Sequence, residues 1–476
     1  MPPTEAAVGA APAATCPKDR PMASIVLFED HTALRFAPLA ASTPLPEVRC
    51  GLFCLRERVN LVASAGGWLA VRPSLAALNR DEAWRPLVAG DRPGLWLNGR
   101  LAPSPTVIAD LVAAADRGPF LLRDAGGPLA IAADGAWAQE IVASWFGWSG
   151  SRTGEWSPPV PADWTARDGG QGATWLLPAG ATVPAAATSP ALGWIWDIVP
   201  RTAAALKDDL AAALRGPWRR RPFGLDPQGG AAPWPADGRL RRTEAGDLPG
   251  VVVVGDGGVY VGEGVTAIPG AVVDTRSGPV ILQDGASIGA HVYLEGPLAL
   301  GPLCRVKAGA AIYGESSFGL GCRVAGEIGE SSFGDFSNKQ HEGFIGHAVL
   351  GSWVNLGALT TCSDLKNNYG NVRVDLGRGS VDTGLRFVGL LMGDHAKTAI
   401  GTLFNTGTCV GFAANVFGDG MPPKLVPAFS WGGRDGSPAY DADKAAATAA
   451  IVLGRRGCTF GEAHAALFRE LAASSR

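Results

Sequence analysis

The chain has 476 residues, 47% of them hydrophobic and 18% charged, with a formal net charge of −3. That length predicts two or three domains rather than one core, and the charge balance leaves no field to hold nucleic acid or an anionic membrane. The 65 glycines are about twice the usual share of roughly 7%, and they gather after residue 250, where they announce many tight turns.

Residues 1–21, MPPTEAAVGAAPAATCPKDRP, lack the basic-then-apolar layout of a secretory signal and read as a disordered tail. No apolar run is long enough to predict membrane insertion. A cytoplasmic location with reduced thiols follows; the eight cysteines show no zinc-type pairing. ASIVLFED (23–30) has the look of a buried first strand. GLFCLRERVNLVAS (51–64) has helical spacing, and GLWLNGRLAP (94–103) is another short apolar run. Alternating strands and helices predict an α/β domain over 22–190. GWIWDIVPRTAAALKDDLAAALRG (193–216) predicts a helix within a helical, Pro/Arg-rich connection spanning 191–250. Its basic piece RGPWRRRP (215–222) reads as a solvated linker.

Beyond 250 the period changes to six. Leu282, Ile288, Leu294, Leu300, Val306, Ile312, Phe318 and Val324 follow one another at that spacing. Phe344, Leu350, Leu356 and Cys362 resume it, then Met392, Thr398, Phe404, Val410 and Val416. Neither a helix nor a simple strand repeats every six residues with glycine so often beside the apolar site. A hexapeptide solenoid does, each coil of roughly 18 residues making three short strands and three bends. It is expected over 251–432, followed by a helical extension over 433–476. Breaks at 325–343 and 363–391 carry polar residues and mark an expected working face. Cys304 and Cys322, one coil apart, are expected as stacked reduced thiols.

An α/β front and a hexapeptide rear together resemble the bifunctional N-acetylglucosamine-1-phosphate uridyltransferase/glucosamine-1-phosphate N-acetyltransferase family, in its divergent bacterial sugar nucleotidyltransferase branch. The resemblance rests on FAPLAASTPLPEVRCG (36–51), WDIVPR (196–201), FSNKQHEGF (336–344), VNLGALTTCSDLKNNYG (354–370), LLMGDHAKTAIGTLFNTGTCVG (390–411) and FSWGG (429–433). It implies a nucleotidyltransferase-like α/β domain joined to a left-handed parallel β-helix, a homotrimer, acetyl-CoA as acyl donor and a small-molecule sugar phosphate as acceptor.

Carried over residue by residue, the resemblance makes His341 the general base, with Asn355 and Glu327 beside it. Phe344 stands where the family has a tyrosine, and Ala358 supplies a backbone amide near the thioester, with Thr360 close by. The family's lysine two residues after that acid, Glu327, is absent, Gly329 standing in its place. Lys307, Lys339, Lys366 and Lys397 are the cations left to meet phosphate, with Asn368, Tyr369 and His395 on the polar stretches. The chemistry needs such groups: an amine attacks a thioester only when neutral, and imidazole accepts its proton near pH 7. The front departs further from the family. VLFEDHTALRFAPL has no glycine in the loop after the first strand, and Arg49 is the surviving cation. Asn98 and Arg100 stand where the family has a metal-binding aspartate. Mg²⁺ is therefore expected only if this domain is active, and a binding or vestigial domain is the better reading. Three other readings remain: a nucleotidyltransferase making a nucleotide sugar, a non-catalytic sugar-phosphate scaffold, and a zinc carbonic anhydrase-like trimer drawing on His291, His341, His347 and His395.

Overall fold

The computed structural model describes residues 24–475 apart from 64–65, 103, 152–153, 185–190, 221, 231, 245 and 434–437; the expected tail lies outside the described residues. The front is an eight-stranded sheet. Its strands are β1 (Ile25–Phe28), β2 (Gly67–Ala70), β3 (Trp84–Pro86), β4 (Leu95–Asn98), β5 (Phe120–Asp124), β6 (Gly127–Ala132), β7 (Thr165–Gly170) and β8 (Ala173–Leu177), in the order β3-β2-β1-β4-β6-β5-β8-β7. The first four in that order run parallel. The IVLF run of β1 is buried throughout because helices cover both faces of the parallel part. They are α1 (Leu55–Ala63), α2 (Pro73–Ala76), α3 (Pro105–Ala115) and α4 (Gly135–Ser151). Ser104 caps α3 through its Oγ, and Pro105 follows at the first helical position, a start that removes an orphan donor. Because the chain leaves β1 to build β2 and β3 on one side and returns to place β4 on the other, the ends of β1 and β4 form the switch point of the sheet.

Helix α5 (Ile198–Ala213) connects front to rear. Its Asp209 accepts two hydrogen bonds from the buried Arg58 of α1, both at 2.7 Å. The connection is less solvated than its composition predicts. Arg220 is buried, and its guanidinium donates to Asp284 Oδ2 at 2.7 Å and Gln283 Oε1 at 3.0 Å. A cation between two strand layers stays buried only when it finds such partners, and here it ties the linker to the rear.

The rear is a stack of three-sided coils with parallel ladders on each side. Val280 pairs with Leu298 and Leu298 with Ser316, 18 residues apart each time. The inward positions from Leu282 to Val324 are all buried in one column. The first phase break contains no inserted loop. Arg323 pairs with Asn338 and Ser317 with Ser332, 15 residues apart, so this coil is shortened. In consequence Ile345 fills the interior, and Phe344, expected there by the repeat, is half-buried on the outside. The second break is a true insertion: Val349 pairs with Leu391, 42 residues away. Its strands Arg373–Asp375 and Ser380–Asp382 form an antiparallel hairpin, and Val372 and Val374 pack with Phe36, Leu39 and Trp196 of the front. Cys304 and Cys322 are free, buried thiols.

One side of the coil is covered by the front domain. Ile281 and Ala299, outward on that side, are buried against Leu206 and Leu210 of α5, and Ser317 donates to the Gly51 carbonyl at 2.7 Å. Two final helices, α6 (Ala442–Gly454) and α7 (Glu462–Ser474), pack against its upper coils. Among the described residues no helix is long and apolar enough to cross a membrane.

Candidate functional sites on the coil and at the strand ends

His341 sits on a corner of the coil, between strands Asn338–Lys339 and Phe344–Gly346, and is exposed. The next coil lies directly on it, since Leu359 N–H donates to the Glu342 carbonyl at 2.9 Å. The corner Gly357–Ala358–Leu359 thus stands over the corner of His341. Ala358 N–H makes no hydrogen bond among the described residues. Ala308 and Ile400, at the same corner in other coils, also leave theirs unspent, so what distinguishes this corner is the imidazole beside it. Glu327 and Asn355 are exposed on the two flanking sides, Glu327 in register with Phe344 and Asn355 with Asn338.

The other histidines of the coil are engaged differently. His347 Nδ1 lies 2.8 Å from Asp364 Oδ2, and its ring stacks on Phe387. His395 is buried among Trp353, Phe412 and Phe468. Burial, then Lys397 and His464, hold it well below the usual imidazole range. It lines a cavity of about 120 Å³ between front, coil and final helices, its ring packed in that aromatic cluster and not standing on the outer surface of the coil. Among the described residues no group of three His, Cys, Asp or Glu is placed to hold a metal within one chain.

Two expected surface groups point inward. Lys339 occupies an interior position, in register between Val324 and Leu356, and is 1% exposed. Its ammonium donates to the carbonyls of Ala325 at 3.0 Å and His341 at 2.6 Å, and burial lowers its pKa to about 8. The shortened coil explains this: the six-residue count carries Lys339, not an apolar residue, to the axis. Thr360 is buried as well, its hydroxyl 2.7 Å from that of Thr398, so it offers an acyl donor only backbone. Lys366 donates to the Asn371 carbonyl, and Asn368 accepts from Gly370 N–H; both shape the start of the insertion. Tyr369 beside them is 67% exposed.

In the front, Asn98 is fully buried. Its amide donates to Asp30 Oδ2 at 2.8 Å across the switch point, and to the Pro128 carbonyl. Asp30 Oδ1 accepts from Thr32, and Glu29 is held by Arg72 at 2.7 Å. Arg100 is buried and paired with Asp124. A guanidinium and an amide donor therefore stand where a divalent cation would need free carboxylates, and the strand ends do not fit Mg²⁺. Arg49 is spent between Leu52 O, Glu57 and Asp335 of the coil, the last at 3.9 Å. It clamps front to rear instead of facing open solvent.

Beside the switch point lies a cavity of about 740 Å³, large enough for a nucleotide or nucleotide sugar. His31 contributes a buried Nε2 that has no hydrogen-bond partner among the described residues and lies 4.0 Å from Glu155 Oε1, Trp145 and Trp148 of α4 supply aromatic wall, and Arg35 lies over Trp194 at 5.4 Å. The hairpin inserted in the coil reaches this cavity with Leu376, Arg378 and Val381. Sequence reasoning missed this wall. The tryptophans of α4 were visible but fall outside any recognised motif, and nothing local to Arg378 says which domain its hairpin meets.

Residues 25–216 match the sugar nucleotidyl transferase family. The stretch contains every strand of the front sheet and ends just past α5. A "Bifunctional protein GlmU" from Bartonella bacilliformis is 31% identical over 139 residues, covering 27% of this chain and 30% of that relative. The chain therefore spans about a third of the length of the curated relative that it matches. The front is similar to sugar nucleotidyl transferases, while the carboxylates at its strand ends, Glu29, Asp30 and Asp124, are engaged by Arg72, by Thr32 and Asn98, and by Arg100.

Proposed function

We propose that the coil transfers an acyl group from acyl-CoA to the amine of a sugar phosphate at the His341 corner. The observation that carries this reading is the pairing of an exposed, unspent imidazole with an unspent amide, Ala358 N–H, on the coil directly above it. His341 would take the proton from the attacking amine as the nitrogen–carbonyl bond forms. Ala358 N–H would donate to the carbonyl oxygen as it becomes an oxyanion; one such donor contributes about 3 kcal/mol. Collapse expels the CoA thiolate, which takes up a proton. Glu327 and Asn355 flank the imidazole to orient the sugar. The exposed corner would be enclosed by a second and third copy of the chain, as the resemblance to trimeric acetyltransferases implies.

The front domain would then bind a nucleotide sugar or sugar phosphate without metal-dependent chemistry. Supporting this are the 740 Å³ cavity and the family match, set against the buried Arg100 and Asn98 at the strand ends. Catalytic nucleotidyl transfer is the second reading, favoured by the match alone. Two assays separate them. Thiol release from acetyl-CoA with glucosamine 1-phosphate supports acyl transfer, and its absence across a panel of amino-sugar phosphates removes it. Pyrophosphate release from UTP and N-acetylglucosamine 1-phosphate, dependent on Mg²⁺, would instead establish the second reading.

A further inference from the structure

The side of the coil that carries Asn355 continues into a groove of about 310 Å³. Its floor is a ladder of outward side chains in successive coils: Arg323 is in register with Asn338, Asn338 with Asn355, and Asn355 with Lys397. Such neighbours stand about 4.8 Å apart. Its wall is the end of α6, where Arg455 and Arg456 turn toward the ladder. Four cations line one groove, and the lining contains no carboxylate.

The cations are not neutralised elsewhere. The side chains of Arg323 and Arg455 make no hydrogen bond or ion pair among the described residues. Arg456 gives one nitrogen to Asn338 Oδ1 at 3.2 Å and lies over the ring of Phe336. Lys397 donates to the His395 carbonyl at 2.8 Å. Arginines at the end of a helix do offset its dipole, which accounts for Arg455 and Arg456. It does not account for Arg323 and Lys397, which the strands bring up opposite them. Burial, then the guanidiniums of Arg305 and Arg455, push Arg323 below the usual range, and burial followed by Arg323 does so for Arg456. Like charges held together in this way are relieved by an anion.

We propose that this groove binds a phosphate-bearing small molecule, with phosphate between the guanidiniums of Arg323 and Arg456 and the rest of the ligand along Asn338 and Asn355. Guanidinium forks match phosphate oxygens in pairs, and the amides offer donors and acceptors to hydroxyls or a base edge. The volume takes a diphosphate carrying a sugar or nucleoside. A nucleic-acid strand would need a longer basic track than a chain of net charge −3 provides.

Titration calorimetry of the full chain tests this with four probes: inorganic pyrophosphate, ADP, coenzyme A and glucosamine 1-phosphate. At least one is expected to bind with a Kd below about 1 mM and to weaken as salt rises. Arg323→Gln and Arg456→Gln should each weaken that binding about tenfold or more, Arg323→Gln with its unfolding temperature unchanged. Tighter binding of coenzyme A than of ADP would name the acyl donor as the source, and tighter binding of glucosamine 1-phosphate the acceptor. Equal binding of pyrophosphate and ADP would mean that phosphate alone is recognised. No heat from any probe at about 10 mM, or binding that both variants leave intact, overturns the proposal. Because the readout is binding and His341 is untouched, that failure is distinct from failure of the acyl-transfer reading.

Discussion

Lys339 holds the carbonyl of His341 from inside the coil, Nζ to O at 2.6 Å. A charge in the apolar column thus fixes the corner that presents the imidazole. Burial lowers the pKa of Lys339 from its ordinary 10.5 to about 8, so between those values the unfolded chain holds more protons than the folded one. Stability therefore rises with pH across that window, and below pH 8 the full cost, about 3 kcal/mol, is present. Lys397 is depressed to about 8 by burial as well and acts over the same window. Lys339→Met is expected to remove about half of the rise, measured as urea-unfolding free energy at pH 7.5 and 10. It leaves two carbonyls without donors, at about 1–3 kcal/mol each, so its stability at pH 7 should change little. A variant with the full wild-type pH slope would mean that the ammonium is not buried as described.

Asp394 joins front to rear in the opposite sense. It is buried, and it accepts from Ser42 Oγ at 2.7 Å, Thr43 Oγ1 at 3.2 Å and Ser352 N–H at 2.7 Å. Burial outweighs these bonds and raises its pKa from 3.8 to about 6. The folded form then holds more protons than the unfolded between those values, so stability falls as pH rises through the window. Asp394→Asn should be more stable than wild type at pH 7.5 by about 1–3 kcal/mol and equal to it near pH 4. Thermal unfolding at both pH values measures it; equal midpoints at pH 7.5 would place Asp394 in a wetter site.

His341→Ala is expected to cut acyl transfer at least a hundredfold, the usual worth of a general base. Its imidazole is exposed and makes no hydrogen bond among the described residues, so circular dichroism, sedimentation and unfolding temperature should match wild type. Activity within threefold of wild type would show that the base lies elsewhere.

The sequence and the fold agree where a period is long and repeated. Leu282 to Val324 predicted the interior column because each inward residue meets its copy one coil away, and nothing else satisfies a six-residue rhythm. The same period put Phe344 on the inward column, and the resemblance put Lys339 among the surface cations; the structure turns Phe344 outward and Lys339 inward. A coil shortened to 15 residues keeps its stacking but shifts its phase, and such a shift is set by pairing with neighbouring coils. His341, Asn355 and Glu327 came as a set from the family resemblance, carried over residue by residue; the repeat alone does not mark them. The charges at the domain junction were legible from neither. Arg220, Arg49 and Asp394 find partners 64, 286 and more than 350 residues away, and local sequence carries no trace of such distances.

Arg378 tests whether the coil completes the front cavity. It stands at the tip of the inserted hairpin, exposed, in the wall that also holds Trp145 and His31. The hairpin is anchored by Val372 and Val374 against the front, so shortening this one side chain leaves the anchor in place and the unfolding temperature should stay within about 1 °C. If the cavity takes a nucleotide sugar, a single guanidinium facing its phosphates adds about 1.4 kcal/mol, or a tenfold change in affinity. Arg378→Ala is therefore expected to weaken binding of UDP-N-acetylglucosamine about tenfold in fluorescence titration, where the tryptophans of the wall report occupancy. Salt should weaken the wild type more than the variant, because the variant has lost a screened contact. Binding that is equally tight and equally salt-sensitive in both proteins would confine the ligand to the front domain and reduce the hairpin to a strut.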